Sequence, residues 1–257
     1  MTRQPTRATP ACGQPLAGLT ISFDLWNTLI RQTALEASRT WQLERFGRIL
    51  RSYGHRTPPE AIAVAVQHVR HEHITQQRLK GAQFAVEHLA QALLVSLGVA
   101  YDESLVEQLS TVWDHTMLHA NPRPIDGAPA VLSAVRRLGA RVVLTSNTLA
   151  STPATHLLLL ADLDLLQHFD FVLLSGDLDT AKPSPDVFEL AAGSPSMTER
   201  TVHIGDDVLT DVDGALAAGC RAVHYDPQGC RERPHVPAIT QLTDLPELMT
   251  LIASTHA

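Results

Sequence analysis

The chain has 257 residues, a length that allows one large domain or a core with a smaller inserted domain, and it excludes a disulfide-stapled miniature scaffold. With 44% hydrophobic and 18% charged residues, it holds enough apolar material for a sizeable core, which argues against disorder. The net charge of −7 argues against binding to nucleic acid or to an anionic membrane surface, so we expect a small-molecule partner.

The N-terminal residues 1–16 mix Thr, Arg and Pro without the apolar run of a secretory signal, so we predict a flexible tail. No stretch is long and apolar enough to predict a membrane-spanning helix. The three cysteines, Cys12, Cys220 and Cys230, lack a metal-binding spacing, and this usage is typical of a reducing compartment. We therefore expect a cytoplasmic protein.

Short apolar strands alternate with helices, a pattern that predicts a doubly wound α/β fold with a parallel sheet of about five strands. The first strand is Leu19–Phe23. Residues 33–120 then have helical periodicity with breaks at Tyr53–Pro59, Gly81 and Gly98, which predicts an inserted all-helical cap of four helices. We place the core at residues 17–32 and 121–257. After the linker Asn121–Pro124, the predicted elements are helix Ala128–Leu138, strand Arg141–Leu144, helix Pro153–Leu160, strand Phe169–Leu174, helix Pro185–Ala192, strand Thr201–Ile204, helix Val208–Ala218, strand Arg221–Tyr225 and helix Leu245–Ile252.

Polar and charged residues follow the predicted strands at their carboxyl ends, where open parallel sheets bind ligands. Asp24 follows the first strand, Thr145–Asn147 the second, and Asp206 and Asp207 the fourth, while Lys182 precedes the helix after the third. Lysine is rare here, with two residues against 18 arginines, which makes a lysine at this edge notable. Asp206 and Asp207 also suit a helix N-terminus as capping residues. The set indicates a site for a divalent cation and a phosphate-like anion.

Each of these groups has a chemical task in such a site. A carboxylate such as Asp24 can attack phosphorus or a polarised carbon and form a covalent intermediate. Mg²⁺ bound by Asp24 and Asp206, with Asp207 or Asp211 in support, would remove the repulsion between nucleophile and substrate. Lys182 would place a fixed positive charge beside the transferring group, and Ser146 and Asn147 would hydrogen-bond its other oxygens.

Four motifs resemble those of the haloacid dehalogenase-like (HAD) superfamily, in the same order, over Leu19–Tyr225. They are Ile21-Ser22-Phe23-Asp24-Leu25-Trp26-Asn27-Thr28-Leu29, Val143-Leu144-Thr145-Ser146-Asn147, Ser175-Gly176 with Lys182-Pro183-Ser184-Pro185-Asp186-Val187-Phe188, and Ile204-Gly205-Asp206-Asp207 with Asp211 and Gly214-Ala215…Ala218-Gly219. The resemblance implies a HAD-like core with a helical cap and hydrolysis of a small phosphorylated molecule through an aspartyl-phosphate at Asp24. It also implies that Thr28, Ser146, Asn147 and Lys182 bind the phosphoryl group and that the Trp26 carbonyl joins the Mg²⁺ ligands.

Trp26 departs from the pattern of HAD phosphatases, which usually have a second aspartate there as general acid and base. Losing a positioned acid or base costs about 10²–10⁴-fold in rate. Hydrolysis at carbon is therefore an alternative, because the 2-haloacid dehalogenases of this superfamily carry an aromatic residue at that position. We favour phosphoryl chemistry because Gly205, Asp206, Asp207 and Asp211 are all present. A non-catalytic ligand-binding relative is the third hypothesis.

Several further side chains are weaker candidates. His68, His71 and His73 on a predicted cap helix are expected to be solvated, although each is a possible source of the missing proton. His115 and His119 have the i, i+4 spacing of metal ligands but lack a third ligand nearby. The first cap helix offers Arg39 and Trp41 as substrate contacts. The sequence leaves the substrate open, and the protein is expected to be a monomer or a homodimer.

Overall fold

The computed structural model describes residues 14–230 and 233–254, so Cys12 lies outside the described residues. Leu16, the last residue of the predicted tail, is fully buried in the core instead, and its N–H donates to the Leu138 carbonyl. Within the described part of the chain the strands are β1 (Thr20–Phe23), β2 (Ile30–Gln32), β3 (Pro122–Pro124), β4 (Arg141–Ser146), β5 (Phe171–Leu174), β6 (Thr201–Gly205), β7 (Arg221–Tyr225) and β8 (Ala238–Ile239).

Six of these strands form one parallel sheet in the order β5-β4-β1-β6-β7-β8. Strand β1 lies at its centre, with Ile21 opposite Val142 on one side and Val202 on the other. All four residues of β1 are buried, as expected for a parallel strand covered on both faces. The α/β class with a parallel sheet is therefore confirmed.

The helices fall into two groups, one that covers the sheet and one that forms the cap. Helices α1 to α4 pack around their own apolar cluster, in which Phe46 and Trp113 are in ring contact, so the inserted cap is helical as predicted. The helices are α1 (Leu35–Ser52), α2 (Pro59–Lys80), α3 (Val86–Ser96), α4 (Glu103–His115), α5 (Ala128–Arg137), α6 (Pro153–Asp162), α7 (Pro185–Ala192), α8 (Gly214–Ala217) and α9 (Leu245–Ser254).

Two local features differ from the predicted elements. The linker Asn121–Pro124 contains β3, which pairs antiparallel with β2 and joins the chain entering the cap to the chain leaving it. Proline argues against a central strand, but this two-stranded ribbon consists of edges only. The predicted helix Val208–Ala218 begins as a π-helix over Val208–Asp213, in which the Val212 N–H reaches back to the Asp207 carbonyl at 3.3 Å.

The described residues contain no helix with the length and apolar character that a membrane crossing requires. Cys220 is buried and Cys230 is exposed, and both are free thiols. The boundaries of core and cap at residues 33 and 120 stay predictions. The helices and the ribbon between them place the cap above the carboxyl edge of β1 and β4, where the sequence predicts the site.

Candidate active site at the carboxyl edge of the sheet

Four charged side chains meet where β1 and β6 end. Asp24 follows β1, Asp206 follows β6, Asp211 lies in the π-helix, and Lys182 lies ahead of α7. The Lys182 ammonium is 1% exposed and donates to Asp24 Oδ1 and to Asp211 Oδ1, each at 2.7 Å. A lysine is rarely buried without partners, so these two carboxylates are what hold its charge inside the protein.

The acids form a group suited to a metal ion. Asp24, Asp206 and Asp211 each offer a carboxylate oxygen, and these oxygens lie within 4.8 Å of one another. Hard oxygen donors are the ligands that Mg²⁺ prefers. The three carboxylates leave an excess of negative charge over Lys182, so the donor set fits a divalent cation.

Burial and the neighbouring charges together perturb the pKa values of these carboxyl groups. Burial and the charges of Asp211 and Asp206 raise the pKa of Asp24 to about 8, although Lys182 opposes the shift. Burial and Asp211 likewise raise the pKa of Asp206 to about 6. Burial opposes the charged form of Asp211, yet Lys182 and His203 hold its pKa well below its usual range. In the absence of a cation, Asp24 therefore retains a proton at neutral pH.

Two hydroxyl groups of the predicted phosphoryl site lie beside this cluster. Thr28 is buried, and its Oγ1 donates to Asp206 Oδ1 at 3.0 Å. The Ser146 hydroxyl at the end of β4 is 2% exposed and has no hydrogen-bond partner. A buried polar atom without a partner costs about 1–3 kcal/mol, so Ser146 is available to an incoming ligand.

Asn147 bonds to the backbone of Lys182 through both polar atoms of its side chain. Its Nδ2 donates to the Lys182 carbonyl at 2.9 Å, and its Oδ1 accepts from the Lys182 N–H at 2.8 Å. These two bonds fix the backbone from which the lysine side chain extends. Asn147 thus positions Lys182, and both polar atoms of the Asn147 side chain already have hydrogen-bond partners.

Asp207 is not brought into the acid cluster. Its Oδ1 accepts from the Leu209 and Thr210 N–H groups and caps the π-helix, and its carboxylate pairs with Arg78 of the cap at 2.9 Å. The capping interpretation of this residue is therefore confirmed. The ion pair also ties cap helix α2 to the loop that carries Asp206.

His203 is a residue of this region that the sequence reasoning missed. Its Nδ1 is 2.9 Å from Ser22 Oγ, which is 2.7 Å from Thr145 Oγ1, and its Nε2 is 3.3 Å from Asp211 Oδ1. The fully buried ring thus connects the centre of the sheet to the partner of Lys182. The available signal was a histidine inside a buried strand, two residues before Gly205. A Cβ at Gly205 would collide with the Asp211 carboxylate, so this close approach needs glycine.

A cavity of about 260 Å³ lies between the cap and the site. Trp26 and Asn147 line it from the core, and Arg39 and Arg70 line it from cap helices α1 and α2. His156 on α6 lines it too, and the Trp26 Nε1–H donates to His156 Nε2 at a long 3.5 Å. His156 is a second residue that the sequence reasoning missed, because no local pattern connects α6 to Trp26.

The weaker histidine and aromatic candidates lie elsewhere. Trp41 stacks on His119 with ring centroids 3.7 Å apart and does not line the cavity. His68 and His71 are exposed, and His73 Nδ1 lies 2.8 Å from the Val69 carbonyl on its own helix. In residues 14–230 and 233–254, His115 and His119 belong to no group of three metal ligands. Of these candidates, only Arg39 faces the cavity.

The parallel sheet, the acid–lysine cluster at its carboxyl edge and the helical cap define a hydrolase built on a Rossmann-like core. A family model described as haloacid dehalogenase-like hydrolase matches residues 19–219. The chain belongs to this family and is a hydrolase.

Two sequence relatives are phosphatases by name, which is consistent with the hydrolase family. Phosphoserine phosphatase of Thermus thermophilus is 34% identical over 123 residues, which cover 47% of this chain and 48% of that enzyme, so the chain spans about half its length. N-acylneuraminate-9-phosphatase of Mus musculus is 26% identical over 250 residues, which cover 90% of this chain and 94% of that enzyme.

Solved structures match at the level of the fold. A 2-haloacid dehalogenase of Pseudomonas syringae pv. Tomato aligns with a TM-score of 0.65 at 21% identity, covering 91% of this chain and 99% of that one. The HAD-hydrolase YfnB of Bacillus subtilis, solved bound to magnesium, aligns with a TM-score of 0.60 at 19% identity, covering 90% and 98%. Both matches lie below 25% identity and show the shared fold.

Proposed function

We propose that the protein is a magnesium-dependent phosphohydrolase that acts on a small phosphorylated molecule through an aspartyl-phosphate intermediate. The observation that carries this proposal is the buried Lys182 ammonium, held between Asp24 and Asp211 beside Asp206. The arrangement offers a nucleophilic carboxylate, a fixed cation and a donor set for Mg²⁺ at one point. The phosphatase names of the sequence relatives support phosphorus over carbon as the reacting atom.

In the first step a carboxylate oxygen of Asp24 attacks phosphorus. The new O–P bond forms as the bond from phosphorus to the leaving oxygen breaks, and the leaving group departs with that electron pair. Lys182 stabilises the negative charge on the transferring group, and the free Ser146 hydroxyl donates to one of its oxygens. Water then attacks phosphorus and releases inorganic phosphate, which restores Asp24.

Mg²⁺ would be held by Asp24, Asp206 and the Trp26 carbonyl, and it would neutralise charge between the nucleophile and the substrate. Asp211 has a supporting role. Its Oδ1 lies near Lys182 and His203, and its Oδ2 accepts from the Asp207 N–H at 3.0 Å. This division assigns Asp206 to the ion and Asp211 to the lysine.

The proton of the attacking water needs an acceptor because Trp26 has none to offer. His156 Nδ1 lies 3.0 Å from the Thr152 carbonyl, which fixes the proton on Nδ1 and leaves Nε2 as an acceptor. Burial lowers the pKa of His156, so the ring is neutral at neutral pH. We assign His156 as the base, because its Nε2 accepts only a long 3.5 Å bond from the Trp26 Nε1–H that a water can replace. The leaving group has no acid and must be a good one.

Hydrolysis at carbon is the second candidate function, and Trp26 is the observation that favours it. An aromatic ring two residues after the nucleophile lines the cavity, and no acid stands at that position. The acid cluster of Asp24, Asp206 and Asp211 argues for the metal-dependent route instead.

The test is release of phosphate from aryl, alkyl and acyl phosphates, with and without Mg²⁺, beside release of halide from 2-chloropropionate. We expect Mg²⁺-dependent phosphate release that is fastest for acyl and aryl esters and is abolished in Asp24→Asn. Unchanged turnover in Asp24→Asn would refute the covalent mechanism. Metal-independent halide release without phosphate release would move the function to carbon. If neither product forms and Mg²⁺ does not bind, the remaining hypothesis is a non-catalytic ligand-binding protein.

A further inference from the structure

The cavity between cap and core is small and is lined by two charged residues of one sign. Its volume of about 260 Å³ lies below the range of about 300–1,000 Å³ usual for drug-sized ligands, so it suits a compact metabolite. Arg39 and Arg70 line it, and no aspartate or glutamate of the described chain does. This local excess of positive charge occurs in a chain whose net charge is −7.

The two guanidinium groups are close enough to affect each other. Arg70 is an exposed residue, as Arg39 is, and partial desolvation together with the charge of Arg39 lowers the pKa of its guanidinium. Arg39 also pairs with Glu36 at 2.7 Å, but both side chains are largely exposed, and such surface pairs contribute little. An anion between the two arginines would relieve their repulsion, and a guanidinium fork matches a carboxylate in a bidentate manner.

Two other cap side chains that line the cavity carry donors without partners. Gln42 is 3% exposed and Trp113 is fully buried, and neither Gln42 Nε2 nor Trp113 Nε1 has a hydrogen-bond partner. The indole N–H can only donate, and so can the amide nitrogen. The cap side of the cavity therefore presents two buried donors that lack an acceptor.

We propose that this cavity binds a carboxylate group of the substrate, at the end away from the phosphoryl group. Arg39 and Arg70 hold the carboxylate, and Gln42 and Trp113 donate to the polar atoms beside it. The substrate class is then a compact phosphorylated carboxylic acid. This inference rests on the proposed phosphohydrolase function for its phosphoryl end, while the carboxylate site rests on the cavity alone.

Binding of phosphonates tests the site without relying on turnover, because the P–C bond is not hydrolysed. The probes are phosphonoacetate, 3-phosphonopropionate and 4-phosphonobutyrate, each paired with the alkylphosphonate of equal chain length, and titrated calorimetrically with and without Mg²⁺. The best-fitting carboxylate should bind at least about tenfold more tightly than its partner. Methylenebisphosphonate tests whether the cavity binds a second phosphate-like group instead of a carboxylate. Tighter binding of that probe than of any carboxylate would overturn the assignment to carboxylate.

Arginine substitutions test which side chains cause the preference for the carboxylate probes. Arg39→Gln combined with Arg70→Gln should abolish the preference for the carboxylate while leaving the alkylphosphonate affinity within about twofold. Arg48→Gln is the matched control, since Arg48 is an exposed arginine on α1 that does not line the cavity, and it should keep the preference. A preference that survives in the double variant would refute the proposal.

The phosphohydrolase function and the carboxylate site are tested by separate measurements. Phosphate release lost in Asp24→Asn tests the phosphohydrolase, whereas phosphonate binding tests the cavity, so either can fail alone. With phosphate esters as substrates, the arginine variants should raise KM for the carboxylate-bearing ester by about tenfold or more and leave the matched ester unchanged. An equal rise for both esters would contradict a carboxylate-specific site.

Discussion

Replacing Lys182 by methionine should destabilise the protein strongly, because the ammonium is the shared partner of two buried carboxylates. It is 1% exposed and lies 2.7 Å from both Asp24 and Asp211. Removing one partner of a buried ion pair costs about 3–5 kcal/mol, since the remaining charge loses its compensation. The pKa of Asp24 is already raised to about 8, so at neutral pH this carboxyl can stay protonated. The loss then arises mainly at Asp211, and we expect about 3 kcal/mol.

The assay is urea unfolding of the metal-free protein at pH 7, followed by tryptophan fluorescence and circular dichroism. The matched control is Lys80→Met, the other lysine of the chain, which is exposed at the end of α2 and should cost less than about 0.5 kcal/mol. Adding Asp211→Asn to Lys182→Met should recover part of the loss, because the uncompensated charge is removed. A loss of less than about 1 kcal/mol, equal to that of Lys80→Met, would refute the buried network.

Three other predictions address the proton transfers and the acid cluster. Trp26→Asp should raise kcat/KM for alkyl phosphates relative to aryl phosphates by about tenfold or more, because the leaving group gains an acid; Trp26→Asn, which has no proton to exchange, should not, and equal ratios in both variants would contradict the missing-acid argument. His156→Gln should lower kcat by about 10²-fold and remove the part of the acidic fall in rate that comes from protonation of this ring, whose pKa lies below the usual value for histidine; an unchanged profile would exclude it as the base. The metal-free protein should lose stability as pH rises from about 4 to 8, because Asp24 and Asp206 bind protons more tightly in the folded state than in the unfolded state. Thermal unfolding across this range should show a flatter pH dependence with saturating Mg²⁺ and in Asp24→Asn, and the same slope in that variant would show that other groups are responsible.

The sequence predicts the arrangement of the sheet because parallel strands have a strong local signal. Buried strands appear as short apolar runs, and their carboxyl ends meet at one edge, so residues that follow different strands converge in space. Asp24 and Asp206 are brought together on this principle alone, across the pairing of β1 with β6. Lys182 has no strand directly before it, and its rarity in the chain was the signal that singled it out.

The partners of individual side chains were less predictable, because they depend on rotamers and loop paths that no sequence spacing determines. Asn147 and Asp207 lie next to Ser146 and Asp206 at the ends of two strands, yet their side chains bond to the Lys182 backbone and to the π-helix. His203 lies within a strand, and which face of the sheet it occupies decides whether it meets Asp211. Local alternation does not settle this in a strand that is buried on both faces.

The charges of the core and of the cap are complementary in a way that only the folded chain reveals. Asp24, Asp206 and Asp211 bring an excess of negative charge to the carboxyl edge of the sheet, where their oxygens fit a cation. Arg39 and Arg70 come from two different cap helices and bring an excess of positive charge to the cavity. The two proposals together describe a ligand with a phosphoryl group at the acid cluster, where a divalent cation would remove the repulsion, and a second anion at the arginines. Such a ligand supplies an anion to Arg39 and Arg70 and acceptors to Gln42 and Trp113, whereas the phosphate of a neutral alcohol leaves those last two donors without partners.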